Sequence, residues 1–208
     1  KAVYCASGLD FTPDEAQLVK RRVDDSGIAF MAEFPRRHAP ATVRLKELIA
    51  TELGTPRLLF CHQRSIARAR TPQLASARRL GAIRELVELV DWCCYVVGWA
   101  PTAVTGLMHR RDCEQPEEDY QMMSLDFSEP KHPGTGPVAQ ISCGRYIPAR
   151  WTEAITYRPL ASLQVSCDRG IAFVDLPATV VWFDEAGRHQ ESLDSERPVG
   201  EQLLTQFY

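Results

Sequence analysis

The chain contains 208 residues, of which 45% are hydrophobic and 25% are charged, a composition typical of globular proteins that fold without disulfides or metal ions. The net charge of −3 excludes the strongly positive surface of nucleic-acid-binding proteins, and no apolar run reaches the roughly 18 residues that a membrane helix needs. The seven cysteines form no CxxC motif, so we expect no disulfide framework, no metal site, and reduced thiols in a cytoplasmic protein.

Both ends of the chain have the pattern of interrupted elements. Lys1 leads directly into the apolar run 2–5, which has the composition of a strand. Residues 201–208 have the pattern of an amphipathic segment that begins and is not completed. We therefore expect the chain to be a portion of a larger protein.

The first predicted elements form a strand–helix–strand unit. Residues 2–6 indicate a short buried strand, and Thr12-Pro13-Asp14-Glu15 is a helix start, with Thr12 as the N-cap and Glu15 three residues later. The helix continues to about Asp25, Ser26-Gly27 ends it, and residues 28–32 indicate a second strand. Such a βαβ unit has parallel strands and a right-handed crossover, and one unit alone cannot close a core.

A second helix is predicted after Pro40, and Gly54 ends it. Its apolar residues, which recur with the helical period, are Val43, Leu45, Leu48, Ile49 and Leu53. Residues 58–63 indicate a strand, and the polar and basic residues 64–77 indicate a loop. A long helix is predicted over 78–97.

The rest of the chain has the pattern of a sheet. Several links are too short for parallel crossovers, so hairpins and antiparallel pairing follow. The predicted strands cover residues 104–107, 120–127, 138–146, 160–167, 171–174, 179–183 and 189–193. The sequence thus predicts an α+β fold: a mixed, largely antiparallel open sheet, covered by helices on one face and preceded by the βαβ unit. The other face would contact solvent or a second subunit.

Two segments of the sequence resemble a known family. They are KAVYCASGLDFTPDEAQLVKRRVDDSGIAFMAEFPRRHAPATVRLKELI and ELVELVDWCCYVVGWAPTAV. The family is that of the glucose-fructose oxidoreductases, inositol dehydrogenases and MocA proteins (Gfo/Idh/MocA). The first segment resembles the last Rossmann strands and the crossover helix of this family. The second segment resembles its central helix. The resemblance implies that residues 1–36 are the remnant of a dinucleotide-binding Rossmann domain. It also implies that residues 37–208 form the C-terminal α+β domain for substrate binding and oligomerisation, incomplete at its end.

The resemblance places a catalytic Glu-Lys-Pro triplet of the family on Ala6-Ser7-Gly8. The family's lysine lies near the nicotinamide and the substrate hydroxyl, where a cation stabilises a developing alkoxide. Ala6 and Ser7 are therefore the expected cofactor-binding positions. Ser7 carries no charge and cannot replace the lysine.

The family's other catalytic positions are an aspartate and a histidine four residues apart on the central helix, with a further aspartate three residues later. Anchored on Asp91, they fall on Arg84 and Glu88, so Arg84, Glu88 and Asp91 are the substrate-binding candidates. Three interpretations stay open: a surface ion pair between Arg84 and Glu88, a repurposed pocket in which Arg84 binds an anionic ligand, and retained redox chemistry with Glu88 as the base. No residue is assigned a catalytic role from the sequence.

Other candidates carry less information. Arg37 and Pro40 match the family's Arg-x-x-Pro entry to the crossover helix, for which a bracing role is expected. His62 lies in a strand and is interpreted as a core or pocket-edge residue. A sugar-binding cleft lined by Tyr146, Trp151 and Tyr157 is a further, weaker hypothesis.

Two functions are consistent with these residues. The first is a portion of an NAD(P)-dependent oxidoreductase that transfers hydride to or from a sugar, polyol or related hydroxylated compound, using NAD or NADP in the full-length protein. The 208 residues alone would bind no cofactor and be inactive, because they lack the glycine-rich turn that seats the pyrophosphate. The alternative is a non-catalytic relative that serves as a ligand-binding or oligomerisation module. Either would be a homo-oligomer through the open sheet, without nucleic-acid or membrane partners.

Overall fold

A computed structural model of the chain describes residues 2–5, 11–67, 75–110, 118–157, 161–194, 200–201 and 204–205. Its helices are α1 (Pro13–Ser26), α2 (Pro40–Leu48) and α3 (Ala75–Val97), with 3-10 turns at Pro35–His38 and Ala149–Ile155 and a π turn at Ile49–Leu53. Its strands are β1 (Ala2–Cys5), β2 (Ala29–Ala32), β3 (Pro56–Ala67), β4 (Ala103–Arg110), β5 (Glu118–Asp126), β6 (Val138–Pro148), β7 (Leu163–Cys167), β8 (Ile171–Asp175), β9 (Thr179–Asp184) and β10 (Gly187–Ser192).

The predicted βαβ unit is confirmed, but the prediction that its first strand is buried was wrong, because the residues of β1 are exposed or half-buried. Strands β1 and β2 pair in parallel, with Ala2 opposite Ala29. Helix α1 begins with a complete capping box: the Glu15 amide donates to Thr12 Oγ1 at 3.3 Å, and the Thr12 amide donates to Glu15 Oε2 at 2.8 Å. It ends at Gly27, whose φ of 60° is left-handed. No residue of α1 is buried, so this unit has little core of its own.

An eight-stranded sheet forms the larger part of the fold, in the order β10-β9-β8-β7-β3-β6-β5-β4. Each neighbouring pair is antiparallel except β3 and β6, which are parallel. The predicted α+β class with a mixed, largely antiparallel sheet is therefore confirmed. The long strand β3 lies near the centre of the sheet, between β7 and its parallel partner β6, and α3 contacts both β3 and β6.

One face of the sheet packs against α2 and α3 and forms the core. Burial alternates along β7, where Leu163, Val165 and Cys167 are buried and the residues between them are half-buried. Trp92 of α3 is fully buried, and its indole N–H donates to Thr42 Oγ1 of α2 at 3.0 Å, which satisfies both polar groups.

None of the six described cysteines forms a disulfide, and four of them, Cys61, Cys93, Cys143 and Cys167, are buried in this core. Burial raises the pKa of the Cys143 and Cys167 thiols to about 11, so both stay protonated and act as small apolar groups. Within the described ranges, no group of three or more His, Cys, Asp or Glu side chains could hold a metal ion. No described helix is long and apolar enough to cross a membrane.

The prediction of a loop over residues 64–77 was wrong at both of its ends. Strand β3 continues to Ala67, because β6 runs beside it as far as Pro148 and supplies hydrogen-bond partners. Helix α3 begins at Ala75 rather than at residue 78. Residues 68–74 lie outside the described part of the chain. Polar composition suggested a loop, whereas pairing across the sheet determined the conformation.

The end of the second helix also differs from the prediction of one regular helix. After Leu48 the backbone widens into the π turn, and the Gly54 amide donates to the carbonyl of Ile49, five residues earlier. This wider turn brings Leu53 into the core, where it is fully buried. Gly54 then reverses the chain with a φ of 78° and a ψ of −159°.

Candidate functional site

A cavity of about 450 Å³ opens where the Pro35–His38 turn, α3 and β3 meet. It is lined by Pro35, Arg36, Ala39, His62, Gln63, Glu88, Ser162, Leu176 and Pro177. The sheet itself creates this opening, because β7 pairs with β3 only as far as Cys61 opposite Leu163. One further hydrogen bond, from the His62 amide to the Ser162 carbonyl at 3.2 Å, holds the edge.

Arg36 is the cation of the cavity. Its guanidinium lies over the Trp92 ring at 5.4 Å, and Nη2 donates to Gln63 Oε1 at 2.6 Å. Its Nε is 3.7 Å from Glu88 Oε2, which is too long for a hydrogen bond, and this buried Nε has no hydrogen-bond partner. Arg36 thus keeps unused donor capacity beside the cavity.

Glu88 is the anion of the cavity, and two arginines share it. Arg84 Nε, one helical turn away, donates to Glu88 Oε1 at 3.1 Å, while Arg36 approaches the other oxygen. The side chain of Glu88 is 20% exposed and that of Arg84 is 37% exposed. The pair is therefore half-buried at the edge of the cavity rather than free on the surface.

Asp91 and Arg37 form a separate ion pair behind the cavity. Arg37 Nε donates to Asp91 Oδ2 at 2.7 Å and Nη2 donates to Oδ1, a two-point contact that raises the pKa of the guanidinium. The guanidinium also lies over the rings of Phe34 at 5.0 Å and Tyr95 at 5.4 Å. These contacts fix the chain entering α2 against α3, so Arg37 acts as a brace.

His62 lies on the strand side of the cavity. Its Nδ1 is 2.6 Å from Ser142 Oγ on the neighbouring strand, and its Nε2 is buried without a hydrogen-bond partner in the described structure. Burial, together with the positive charge of Arg64, lowers the pKa of this imidazole. His62 is therefore neutral at neutral pH and adds no charge to the cavity.

Comparison with known proteins places this arrangement in a recognised fold. No family model matches the sequence, and no curated protein matches it. Among solved structures, UDP-N-acetylglucosamine 3-dehydrogenase from Acidithiobacillus ferrooxidans has a TM-score of 0.70 at 15% identity, covering 99% of this chain and 59% of its own. An NAD binding oxidoreductase from Klebsiella pneumoniae has a TM-score of 0.71 at 16% identity, with coverages of 93% and 54%.

A protein from Sinorhizobium meliloti 1021, provisionally assigned as a myo-inositol dehydrogenase, has a TM-score of 0.64 at 18% identity and covers 93% of this chain and 56% of its own. The chain has the fold of the Gfo/Idh/MocA oxidoreductases. It spans between a half and two-thirds of the length of the solved chains that it matches. Because the sequence identities are 15–18%, the similarity to these solved structures establishes only the fold of the chain.

The residues that the Gfo/Idh/MocA resemblance singled out are only partly brought together. Arg84 and Glu88 form an ion pair, as in one of the three interpretations left open by the sequence, and Glu88 also lines the cavity. Asp91 does not line the cavity but binds Arg37. Ala6 and Ser7 lie outside the described residues.

The aromatic residues of the sugar-cleft hypothesis lie elsewhere, since none of them lines the cavity. Tyr146 packs edge-on against Tyr120, with ring centroids 5.7 Å apart, and Trp151 lies under Arg150 at 4.5 Å. Tyr157 is 68% exposed.

Sequence reasoning missed Arg36, Gln63 and Ser162, which line the cavity. The only available signal was that Arg36 precedes the bracing Arg37, so that two adjacent arginines enter α2. Nothing in the sequence showed that they separate, one toward Asp91 and the other toward Glu88. Their separation depends on the 3-10 turn at Pro35–His38.

The Gfo/Idh/MocA fold implies a nicotinamide dinucleotide, whose pyrophosphate commonly binds at a helix N-terminus. In the described βαβ unit that helix is α1. Its first turn carries Asp14 and Glu15, and the capping box occupies the N–H groups of Thr12 and Glu15. Carboxylates at this position repel a pyrophosphate, so the N-terminus of α1 does not fit as its seat.

Proposed function

We propose that this chain forms the substrate-binding part of an NAD(P)-dependent oxidoreductase acting on a hydroxylated, sugar-like compound. The observation that carries this proposal is the cavity of about 450 Å³, in which Glu88 occupies the position that the resemblance assigns to a catalytic histidine. A cavity of this size suits a monosaccharide or polyol, and its lining mixes hydrogen-bonding side chains with prolines and a leucine. Two proteins of the same fold are named as dehydrogenases of a nucleotide sugar and of inositol, which supports this class.

Within this proposal, residues 1–36 belong to a dinucleotide-binding domain and residues 37–208 form the substrate-binding domain. The βαβ unit supports the division, because α1 has no buried residue and two strands cannot bury a core without further strands. The dinucleotide would give or accept hydride, and we assign its pyrophosphate to residues other than α1. The residues of the cavity would bind and orient the hydroxylated compound.

The test of this proposal uses the protein in the longest form that its gene encodes. NADH and NADPH are titrated while nicotinamide fluorescence is followed, and the protein is then assayed on a panel of sugars and polyols. We expect one coenzyme to bind and at least one panel compound to be turned over. If neither coenzyme binds, the oxidoreductase proposal fails.

A second candidate is a non-catalytic relative that keeps the cavity as a ligand-binding module. The contacts of the helix favour it, since Glu88 is shared by two arginines and Asp91 is bound by Arg37. Neither carboxylate is unpaired as a proton acceptor would be. Coenzyme binding without turnover of any panel compound would support this candidate.

Glu88→Gln separates the two candidates. In an enzyme that uses Glu88 for proton transfer, we expect kcat to fall by about 100-fold or more, with a small change in KM. In a binding module, the same variant changes ligand affinity alone. Glu85→Gln is the matched control, because Glu85 lies on the same helix but pairs with Arg145 at 2.6 Å, outside the cavity lining.

A further inference from the structure

We propose that the cavity selects a substrate that carries a carboxylate, of the uronate or aldonate sugar-acid type, and that Arg36 binds this carboxylate. The inference rests on the proposed function, because it names the class of compound that the same cavity takes. It depends on three features of the described residues: the donors of Arg36, the charge balance around Glu88, and the remaining polar lining.

The donors of Arg36 are incompletely used. A guanidinium has five N–H groups, and Arg36 makes one hydrogen bond to the described residues, from Nη2 to Gln63. The position of the guanidinium over the Trp92 ring and the hydrogen bond to Gln63 restrict its orientation, and burial of Nε leaves the terminal N–H groups for a ligand in the cavity. A planar fork held in one orientation matches the two oxygens of a carboxylate.

Among Arg36, Arg84 and Glu88, one positive charge is unbalanced. Arg64 does not enter this balance, because its guanidinium donates to the Ile155 carbonyl at 3.2 Å and does not line the cavity. Arg36 and Arg84 share the single carboxylate of Glu88, whereas Asp91 is matched by Arg37. A further carboxylate beside the lining is that of Asp175, an exposed residue that accepts a hydrogen bond from the Ser162 amide at 3.3 Å, where water screens its charge. The single negative charge of one carboxylate would balance this positive charge, whereas the charge of a phosphate, about −1.5 to −2, would be larger than needed.

The rest of the lining suits the hydroxylated part of a sugar acid. Gln63 and Ser162 offer polar groups for hydroxyls, and His62 is neutral, so it neither attracts a second anion nor repels a hydroxyl. Pro35 and Pro177 provide apolar surface for the C–H face of a sugar ring. Polar and apolar groups of this kind are typical of sites for small hydroxylated ligands.

The ligand preference is measured by titration calorimetry of the full chain at constant ionic strength. The probes are glucuronate, glucose and glucose 6-phosphate. We expect glucuronate to bind at least about tenfold more tightly than glucose, which is the effect of one charge-assisted contact. Equal affinity for glucose, or no binding of any probe, overturns the inference, and tighter binding of glucose 6-phosphate overturns the assignment to a carboxylate.

Variants of Arg36 test its role. Arg36→Met should remove the preference for glucuronate and leave the affinity for glucose within about twofold, while Arg36→Lys, which keeps the charge without the fork, should keep part of the preference. Arg57→Met is the matched control, because Arg57 pairs with Asp168 at 2.5 Å, away from the cavity, and should change neither affinity. If circular dichroism shows that Arg36→Met is unfolded, Arg36→Lys decides: an unchanged glucuronate affinity would contradict the assignment.

These measurements need no coenzyme, so they separate the two proposals. A preference for glucuronate in a protein that binds neither NADH nor NADPH would support the sugar-acid site and contradict the oxidoreductase. Coenzyme binding and turnover of neutral sugars, without a preference for sugar acids, would support the oxidoreductase and contradict the sugar-acid site.

Discussion

Arg37 is held by several contacts near the cavity, since it makes a two-point contact with Asp91 and lies over two aromatic rings. The side chain of Asp91 is 10% exposed and that of Arg37 is 37% exposed, so the pair is partly shielded from water. Removing one partner leaves the other charge half-buried without a counter-charge. The pair therefore stabilises the junction between the Pro35–His38 turn and α3.

Asp91→Asn should lower the free energy of unfolding by about 2 kcal/mol, which is the loss of a partly exposed charged contact. Urea denaturation followed by tryptophan fluorescence measures it. Asp168→Asn is the control. The side chain of Asp168 is 37% exposed and that of its partner Arg57 is 56% exposed, so this pair should contribute at most about 0.5 kcal/mol to the free energy of unfolding. Equal effects of the two variants would show that the shielding of Asp91 does not matter.

Two histidines, the buried His38 and the half-buried His62, predict how the stability of the chain depends on pH. Burial is the main cause that lowers the pKa of both His38 and His62 from 6.5. Below that pH the unfolded chain takes up protons that the folded chain does not, so stability is fully present above about pH 6.5 and is lost as the pH falls toward the folded pKa. Urea midpoints measured at about pH 7.5, 6.5 and 5.5 should decrease in that order. His38→Gln should flatten the dependence, and a midpoint that rises on acidification would contradict it.

At the scale of elements, the π turn and Gly54 position the second helix relative to the sheet. Gly54 combines a φ of 78° with a ψ of −159°, a conformation that only glycine adopts readily. A Cβ there would also lie 3.3 Å from Arg169 Nε and 3.4 Å from the Asp168 Cβ. The fully buried Leu53 depends on this reversal, because it is the residue immediately before it.

Gly54→Ala should therefore destabilise the chain by about 2 kcal/mol, the usual cost of a non-glycine residue in this backbone region. Thermal unfolding followed by circular dichroism measures the change. Gly134→Ala provides the comparison, because Gly134 also has a φ of 78° but has open space around its Cβ position. A larger effect at Gly134 than at Gly54 would contradict the role given to crowding at the end of the π turn.

At the scale of the whole molecule, the sheet face opposite α2 and α3, here termed the open face, carries exposed apolar side chains. The exposed fractions are 45% for Leu58, 39% for Phe60, 63% for Leu107 and 40% for Phe183. Strand register places all four on the same face. An apolar face of this kind is typical of a protein interface, and we propose that it pairs with a second copy.

Light scattering at micromolar concentration should then give a mass of about twice 23.4 kDa. Phe60→Arg should shift the mass toward that of one chain, because it places a charge at the centre of the open face. Val104→Arg is the control: Val104 is 57% exposed but lies opposite Leu125, on the other face of the sheet. A wild-type chain with the mass of one copy would contradict the proposed pairing.

Local patterns predicted most of the fold because each depends on near neighbours in the chain. The capping box at Thr12, the end of α1 at Gly27 and the alternation around Val165 all appear as expected. The Arg84–Glu88 pair follows from helical spacing alone. The extension of β3 to Ala67 could not be predicted, since its partner β6 begins about 70 residues later and a polar sequence favours a loop.

The sequence by itself determined the class of fold, the βαβ unit and the strand alternation, because periodicity and capping are local. Only the tertiary structure decided which residues of these elements meet. It brought Arg36, Gln63 and Glu88 to one cavity and turned Asp91 toward Arg37. The physical reason is that a cavity is formed where elements distant in sequence leave space between them, and here that space exists because β7 ends its pairing beside Cys61 of β3.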